Sequence, residues 1–223
     1  MNGVLRWMVA ICAVSASLGG AAVAGQVSGP ARLVDGDTLE VGGQMVRLAG
    51  IDAPETGQRC QDAQGRDYPC GESAVEALQR LVRNRPVTCE GREYDRYDRL
   101  IGTCWAAGTA LNSAMVKQGW AVAFTRFSEQ FLPEELDAAK AGRGLWLGRF
   151  QRPEEFRAQR WRAAETKSPE GCPIKGNIST NGRIYHTPWS RWYARTRINT
   201  NRGERWFCTE AEAIAAGWRP AHR

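Results

Sequence analysis

Residues 31–56 read ARLVDGDTLEVGGQMVRLAGIDAPET. Three short apolar or alternating runs, Ala31–Asp35, Thr38–Val41 and Met45–Ile51, are separated by Asp-Gly and Gly-Gly pairs. Runs of that length, broken by turn dipeptides, predict a meander of β-strands. The carboxylates fall at the strand ends: Asp35 and Asp37 around the first turn, Asp52 and Glu55 just after the third run. Pro54 pins the backbone beside Glu55 and gives its side chain a fixed direction. Arg47 lies on the strand between the two acidic groups.

Outward from this stretch the period changes. Glu72–Arg83 (ESAVEALQRLVR) places Val75, Leu78 and Val82 at helical spacing, with acid early and arginine late. Pro86–Glu90 and Leu100–Trp105 read as further strands. Leu111–Gln118 reads as a short helix closed by Gly119 at the position after its C-cap, and Pro133–Ala141 as another, ended by Gly142 and Gly144. Strands followed by interleaved helices predict an α+β domain over residues 29–164. Residues 165–171, containing the polar TKSPEG, read as a linker to a small Trp-rich module at 172–223.

Composition narrows the chemistry. The 223 residues contain two histidines, His186 and His222. The first 185 residues therefore cannot build a multi-histidine zinc site, and catalysis there must use carboxylates, arginines or thiols. Met1–Ala24 carries Arg6, an apolar run from Trp7 to Leu18, and small residues ending Ala22-Val23-Ala24. These are the three regions of a cleavable export signal, and the run is short for a layer of about 30 Å. A periplasmic or secreted protein with no membrane span after cleavage is expected.

Export makes the remaining cysteines, Cys60, Cys70, Cys89, Cys104, Cys172 and Cys208, disulfide candidates. Six cysteines allow about 15 connectivities in principle. Local placement favours 60–70 within a loop, 89–104 across neighbouring strands and 172–208 within the module. No Cys-x-x-Cys occurs, which argues against zinc. Residues 165–223 hold ten basic and five acidic residues, so the C-terminal part carries the chain's positive excess. Such a surface suits nucleic acid, acidic polysaccharide or a cell surface, and serves equally for solubility.

The acidic and arginine groups suggest a hard-cation site facing a phosphodiester. A hard cation takes several oxygen ligands from separate chain segments. Asp37, Asp52 and the carbonyl of Ala53 are the candidates. Arg47, together with Arg99 at the end of Asp95-Arg96-Tyr97-Asp98-Arg99, provides guanidinium groups able to bind phosphate oxygens in pairs. Singly, Asp-Gly-Asp also reads as a plain turn and Asp-Ala-Pro-Glu as a plain loop; order and spacing distinguish them.

Four motifs in order, VDGDT (34–38), VRLAGIDAPET (46–56), DRYDR (95–99) and ALNSAMVKQGWA (110–121), resemble the staphylococcal nuclease (thermonuclease) family from about Ala31 to Trp146. The resemblance implies an OB-type five-stranded barrel with three helices, in an exported bacterial member. It implies Ca²⁺ at Asp37, Asp52 and Ala53, supported by Asp35, with Glu55 as general base and Arg47 and Arg99 as phosphate clamps. Tyr97 and Arg96 would approach the substrate, and Phe124 and Arg126 would take the place of base-stacking tyrosines. The family's Tyr-Gly-Arg is here Tyr97-Asp98-Arg99, and Asp98 is expected to face solvent. The loop Gly57–Cys70, adjoining Glu55, is expected to shape the substrate entrance.

The module resembles the tail of proteins grouped with a succinoglycan-biosynthesis nuclease homologue. Trp189, Trp192, Trp206 and Trp218 alternate with arginines and suit either a stacking surface or the core of a small disulfide-stapled fold. Two functions follow: a Ca²⁺-dependent endonuclease acting on DNA and RNA with low sequence specificity, or a noncatalytic binder of nucleic acid or acidic exopolysaccharide. Acid, base and arginines together favour the enzyme, because a binder needs no general base. A monomer is expected.

Overall fold

The computed structural model describes residues 25–221. The expected export signal, Met1–Ala24, lies outside the described residues, as does His222. The opening segment forms two strands, Gly25–Gly29 and Ala31–Leu33, interrupted at Pro30. Proline has no N–H to give to a ladder, and the chain changes partner there. Gly25–Gly29 pairs antiparallel with Val87–Tyr94, whereas Ala31–Leu33 pairs antiparallel with Thr38–Val41. The sheet continues through Gln44–Leu48 to Leu100–Ala106, a parallel pair, and returns to Val87–Tyr94. One interrupted strand thus occupies both edges, and the sheet curls closed as an OB-type barrel.

The barrel follows from alternation. Leu39, Val41, Val46 and Leu48 point inward and are buried, as are Leu100, Gly102, Cys104 and Ala106 along the strand Leu100–Ala106. Helix α1, Cys70–Val82, covers the barrel with Ala74, Ala77, Leu78 and Val82 on its buried face. Helices α2, Leu111–Lys117, and α3, Leu132–Lys140, complete the layer. Asn112 on α2 is fully buried and bonds to Cys104 N–H and to the carbonyls of Ala49 and Gly102, which fixes the helix to the sheet. The α+β class and the OB-type barrel with three helices hold.

Three features extend the expected layout. The strand expected at Pro86–Glu90 runs from Val87 to Tyr94; its last residues, Arg92 to Tyr94, are exposed, so no buried face announces them in sequence. A fourth helix, α4, spans Pro153–Glu165. The C-terminal part forms a four-stranded sheet from Ile174–Ser179, Gly182–His186, Arg205–Phe207 and Arg219–Pro220, with helix α5 at Glu210–Ala215. Its core is Ile174, Tyr185, Phe207, Ala213 and Trp218. Disulfides join Cys60 to Cys70, Cys89 to Cys104 and Cys172 to Cys208. No helix among the described residues is long and apolar enough to cross a membrane.

Candidate active site

The floor of the site is built where the first turn meets the end of Gln44–Leu48. The N–H groups of Val34 and Asp35 both donate to Thr38 O, at 3.0 and 2.9 Å, and this closes the turn carrying Asp37. Arg47 faces Thr38 across the ladder and bridges two carboxylates. One guanidinium nitrogen donates to Asp37 Oδ1 at 2.7 Å and the other to Asp52 Oδ1 at 3.1 Å. Asp52 is held in place by the short antiparallel pair Ile51–Asp52 with Val122–Ala123. Ala53 donates its N–H to Asp37 Oδ2 at 3.1 Å. Burial opposes ionisation of Asp37, but Arg47, the Ala53 N–H, Arg99 and the Thr38 hydroxyl outweigh it and hold the carboxyl below its ordinary value. Burial likewise opposes the charge on Arg47, and Asp37, Asp52 and Glu55 outweigh it.

Glu55 is positioned from beneath. The buried Gln58 donates its N–H to Glu55 O at 2.7 Å, accepts from Glu55 N–H at 3.3 Å, and donates its side-chain amide to Gln151 O at 2.6 Å. Helix α1 then presses Gly71 against the same loop: a Cβ there would lie 1.9 Å from Glu55 O. Only glycine allows that approach. The Cys60–Cys70 disulfide ties the loop to the start of α1. Burial first, and then the nearby Asp35, push the Glu55 carboxyl up to about 8, against the opposing pull of Arg157. Asp35 itself accepts from Gly36 N–H at 2.9 Å and from the Thr56 hydroxyl at 3.1 Å.

The Asp95–Arg99 turn forms the rim. Arg99 donates to Asp95 Oδ2 at 2.7 Å and approaches the Thr38 hydroxyl at 3.4 Å. Asp98 is exposed at φ 60°, in a turn rather than on a strand. Aspartate is among the few residues that occupy this left-handed region readily, so it can stand where a glycine would be comfortable. The guanidinium carbons of Arg96 and Arg99 lie 5.1 and 4.9 Å from the Tyr97 ring centroid. Burial, and then the charge of Glu210, raise the Tyr97 hydroxyl well above its ordinary value.

These groups line a cleft of about 510 Å³ whose other wall comes from the C-terminal part, including Tyr185, Trp189, Arg191 and Trp192. Asp35, Asp37, Arg47, Ala53, Glu55, Arg96, Tyr97 and Arg99 all face it. Asp52 lies beneath it through Arg47 and Arg157. Phe124 and Arg126 are not among its lining residues. Phe124 packs edge-on against Phe127, 5.0 Å away, and Arg126 lies over the Phe127 ring at 5.9 Å. Among the four tryptophans, Trp218 joins the module core, Trp206 is half-buried, and Trp189 and Trp192 face the cleft. His186 is a buried structural group bonded to Asn177 Oδ1 at 2.9 Å.

Sequence reasoning missed Arg157. On the second turn of α4 it donates to Asp52 Oδ1 and Oδ2, at 3.1 and 2.8 Å, and to Glu55 Oε1 at 2.8 Å. The start of α4 was legible as Pro153 followed by Glu154 and Glu155, a helix-opening pattern. That Arg157 reaches Asp52, 105 residues earlier, had no local signal. Gly71, Gln58 and Asp95 were missed for the same reason: each acts through a contact.

Asp37, Asp52 and the Ala53 carbonyl are hard oxygen donors of the kind calcium takes. The donor chemistry therefore fits the ion, while the carboxylate oxygens are turned onto Arg47 and Arg157. As they stand, no three His, Cys, Asp or Glu side chains among the described residues are grouped to hold a metal.

The staphylococcal nuclease homologue model matches residues 45–148, and a model described as ArfC matches 154–220. The chain is 38% identical over 129 residues to the succinoglycan biosynthesis protein ExoI of Rhizobium meliloti (strain 1021), covering 56% of this chain and 68% of that protein. It is 34% identical over 122 residues to an uncharacterized endonuclease of Escherichia coli O157:H7, covering 52% and 73%. It is 31% identical over 146 residues to the micrococcal nuclease of Shigella flexneri, covering 60% and 78%. With the closed barrel and the carboxylate–arginine floor, these similarities establish that the chain belongs to the staphylococcal nuclease homologue family.

Proposed function

We propose that the protein is an exported Ca²⁺-dependent endonuclease that hydrolyses phosphodiester bonds of DNA and RNA with low sequence specificity. The observation that carries this reading is Arg47 spanning Asp37 and Asp52 beside Glu55 in one cleft. Glu55, fixed in the cleft by Gln58 and by the close approach of Gly71, is the general base. It accepts the proton of the attacking water as the phosphorus–oxygen bond to the leaving group breaks. Arg47 and Arg99 bind the non-bridging oxygens and stabilise the charge that builds there. Ca²⁺ held by Asp37, Asp52 and the Ala53 carbonyl would supply further charge against the same oxygens. A positioned base contributes about 10²–10⁴-fold, so most of the acceleration must be electrostatic.

Tyr97 and Arg96 stand at the rim where substrate enters, and Asp35 supports the Glu55 loop through Thr56. Three disulfides suit an oxidising compartment. Binding without catalysis is the second reading. Its support is the occupation of Asp52 and Glu55 by Arg157, and the similarity to a succinoglycan biosynthesis protein of Rhizobium makes acidic exopolysaccharide its ligand to try. The deciding experiment digests single-stranded and duplex DNA and RNA with the oxidised protein, in Ca²⁺ or chelator, beside Glu55→Gln. Calcium-dependent cleavage lost in the variant supports the enzyme. No cleavage by folded, calcium-bound protein favours the binder.

A further inference from the structure

Arg157 stands where a cation is expected. Asp52 is 1% exposed, and its Oδ1 accepts from both Arg47 and Arg157 while its Oδ2 accepts from Arg157. The same guanidinium takes Glu55 Oε1 at 2.8 Å. A divalent ion held by Asp52 needs lone pairs on that carboxylate. Ion and guanidinium therefore compete at Asp52, where Arg157 takes both oxygens; Arg47 takes only Oδ1 of Asp52 and Oδ1 of Asp37 and leaves the second oxygen of each clear of its own guanidinium.

Arg157 is also not a loose side chain. One turn further along α4, Trp161 packs against the module core and lies 6.2 Å from Trp189, centroid to centroid. At the opposite rim, Glu210 on α5 accepts from the Tyr185 hydroxyl at 3.1 Å and lies 3.6 Å from Arg96. Tyr97 packs against the same core. The helix that delivers the guanidinium is thus part of a cap fastened across the cleft at two points.

We infer that Arg157 is a built-in cation that competes with the divalent ion for Asp52 while holding the Glu55 carboxylate, and that α4 with the C-terminal module is a cap that must loosen before the ion binds. The inference rests on Asp37 and Asp52 as ion ligands, as proposed above. Its consequence is thermodynamic: an ion that binds only the open form has an apparent Kd raised by the reciprocal of the open fraction. A cap closed nine-tenths of the time weakens binding by about tenfold.

The test is calorimetric titration of the oxidised protein with Ca²⁺, comparing wild type, Arg157→Gln, Arg157→Lys, Glu210→Ala and Asp52→Asn. Arg157→Gln should bind Ca²⁺ about tenfold more tightly than wild type, with Arg157→Lys between them. Glu210→Ala, which leaves Asp52 untouched, should tighten binding by releasing the cap. Unchanged or weaker affinity in folded Arg157→Gln overturns the competition. If that variant does not fold, unchanged affinity in folded Glu210→Ala overturns it instead. Asp52→Asn serves a separate purpose: calcium binding retained in that variant would refute the ion-site assignment itself, whatever Arg157 does.

Discussion

The barrel and the C-terminal module contribute to one cleft from opposite kinds of architecture. The barrel closes its sheet through one interrupted strand and buries a continuous core from Leu39 to Phe131. The module's hydrophobic core is five residues, Phe207 and Trp218 among them, and its Cys172–Cys208 bridge spans 36 positions. A core that small rarely sustains a fold without a staple. The barrel thus presents the carboxylates from a large core, and the module meets them from a small one that depends on its staple. The difference teaches that the positive charge meeting Asp52 has two origins: Arg47 from the frame and Arg157 from the cap.

The largest effects should come from breaking the frame's own chemistry. Arg47→Ala or Arg99→Ala should lower kcat/KM on single-stranded DNA by about 10²–10³-fold or more, at least as much as Glu55→Gln. Near wild-type turnover in either arginine variant would contradict the assignment. Gly71→Ala sharpens the contrast, because the clash with Glu55 O lies entirely within the barrel. It should cost about 1–3 kcal/mol of stability. Its activity should fall by much more than the shift in Tm explains, since Glu55 is displaced. A Gly71→Ala protein of normal activity would mean that the loop position is immaterial.

Removing the staple separates the regions by stability. Replacing Cys172 and Cys208 with alanine should cost the module about 3–4 kcal/mol, by the chain-entropy relation for a loop of this length. Hydrogen exchange should then show the module opening before the barrel. Simultaneous loss of protection would instead mean one cooperative unit. The smallest effect is titration of His186, which burial first and then Lys175 hold below its ordinary value. The unfolded chain then binds the extra proton more readily than the folded one. This contribution is present above the unfolded pKa of about 6.5 and is lost as pH falls below it. His186→Gln should flatten that slope in Tm between pH 7 and 5, and an unchanged slope would exclude the histidine as its source.

The placement of the frame's carboxylates and arginine was readable because those residues lie in contiguous motifs. Asp35, Asp37, Arg47, Asp52 and Glu55 sit at the ends or on the face of adjacent strands, so period and turn residues place them near one another before any tertiary contact is known. The cap was not readable in the same way. Arg157 looks like any surface arginine on a polar helix, and only folding brings α4 over Asp52. Phe124 and Arg126 show the converse: a matching position in the chain does not guarantee a place in the cleft, because Phe124 N–H is committed to Gly50 O at 2.9 Å and the side chain turns to Phe127.

The most direct test of the central claim is the calcium dependence of single-stranded DNA cleavage by the wild-type protein, measured beside Asp52→Asn. Cleavage that is absent in chelator, saturates with Ca²⁺ and is missing from Asp52→Asn at every calcium concentration is the predicted result. Cleavage that survives chelation, or that persists in Asp52→Asn, would contradict it.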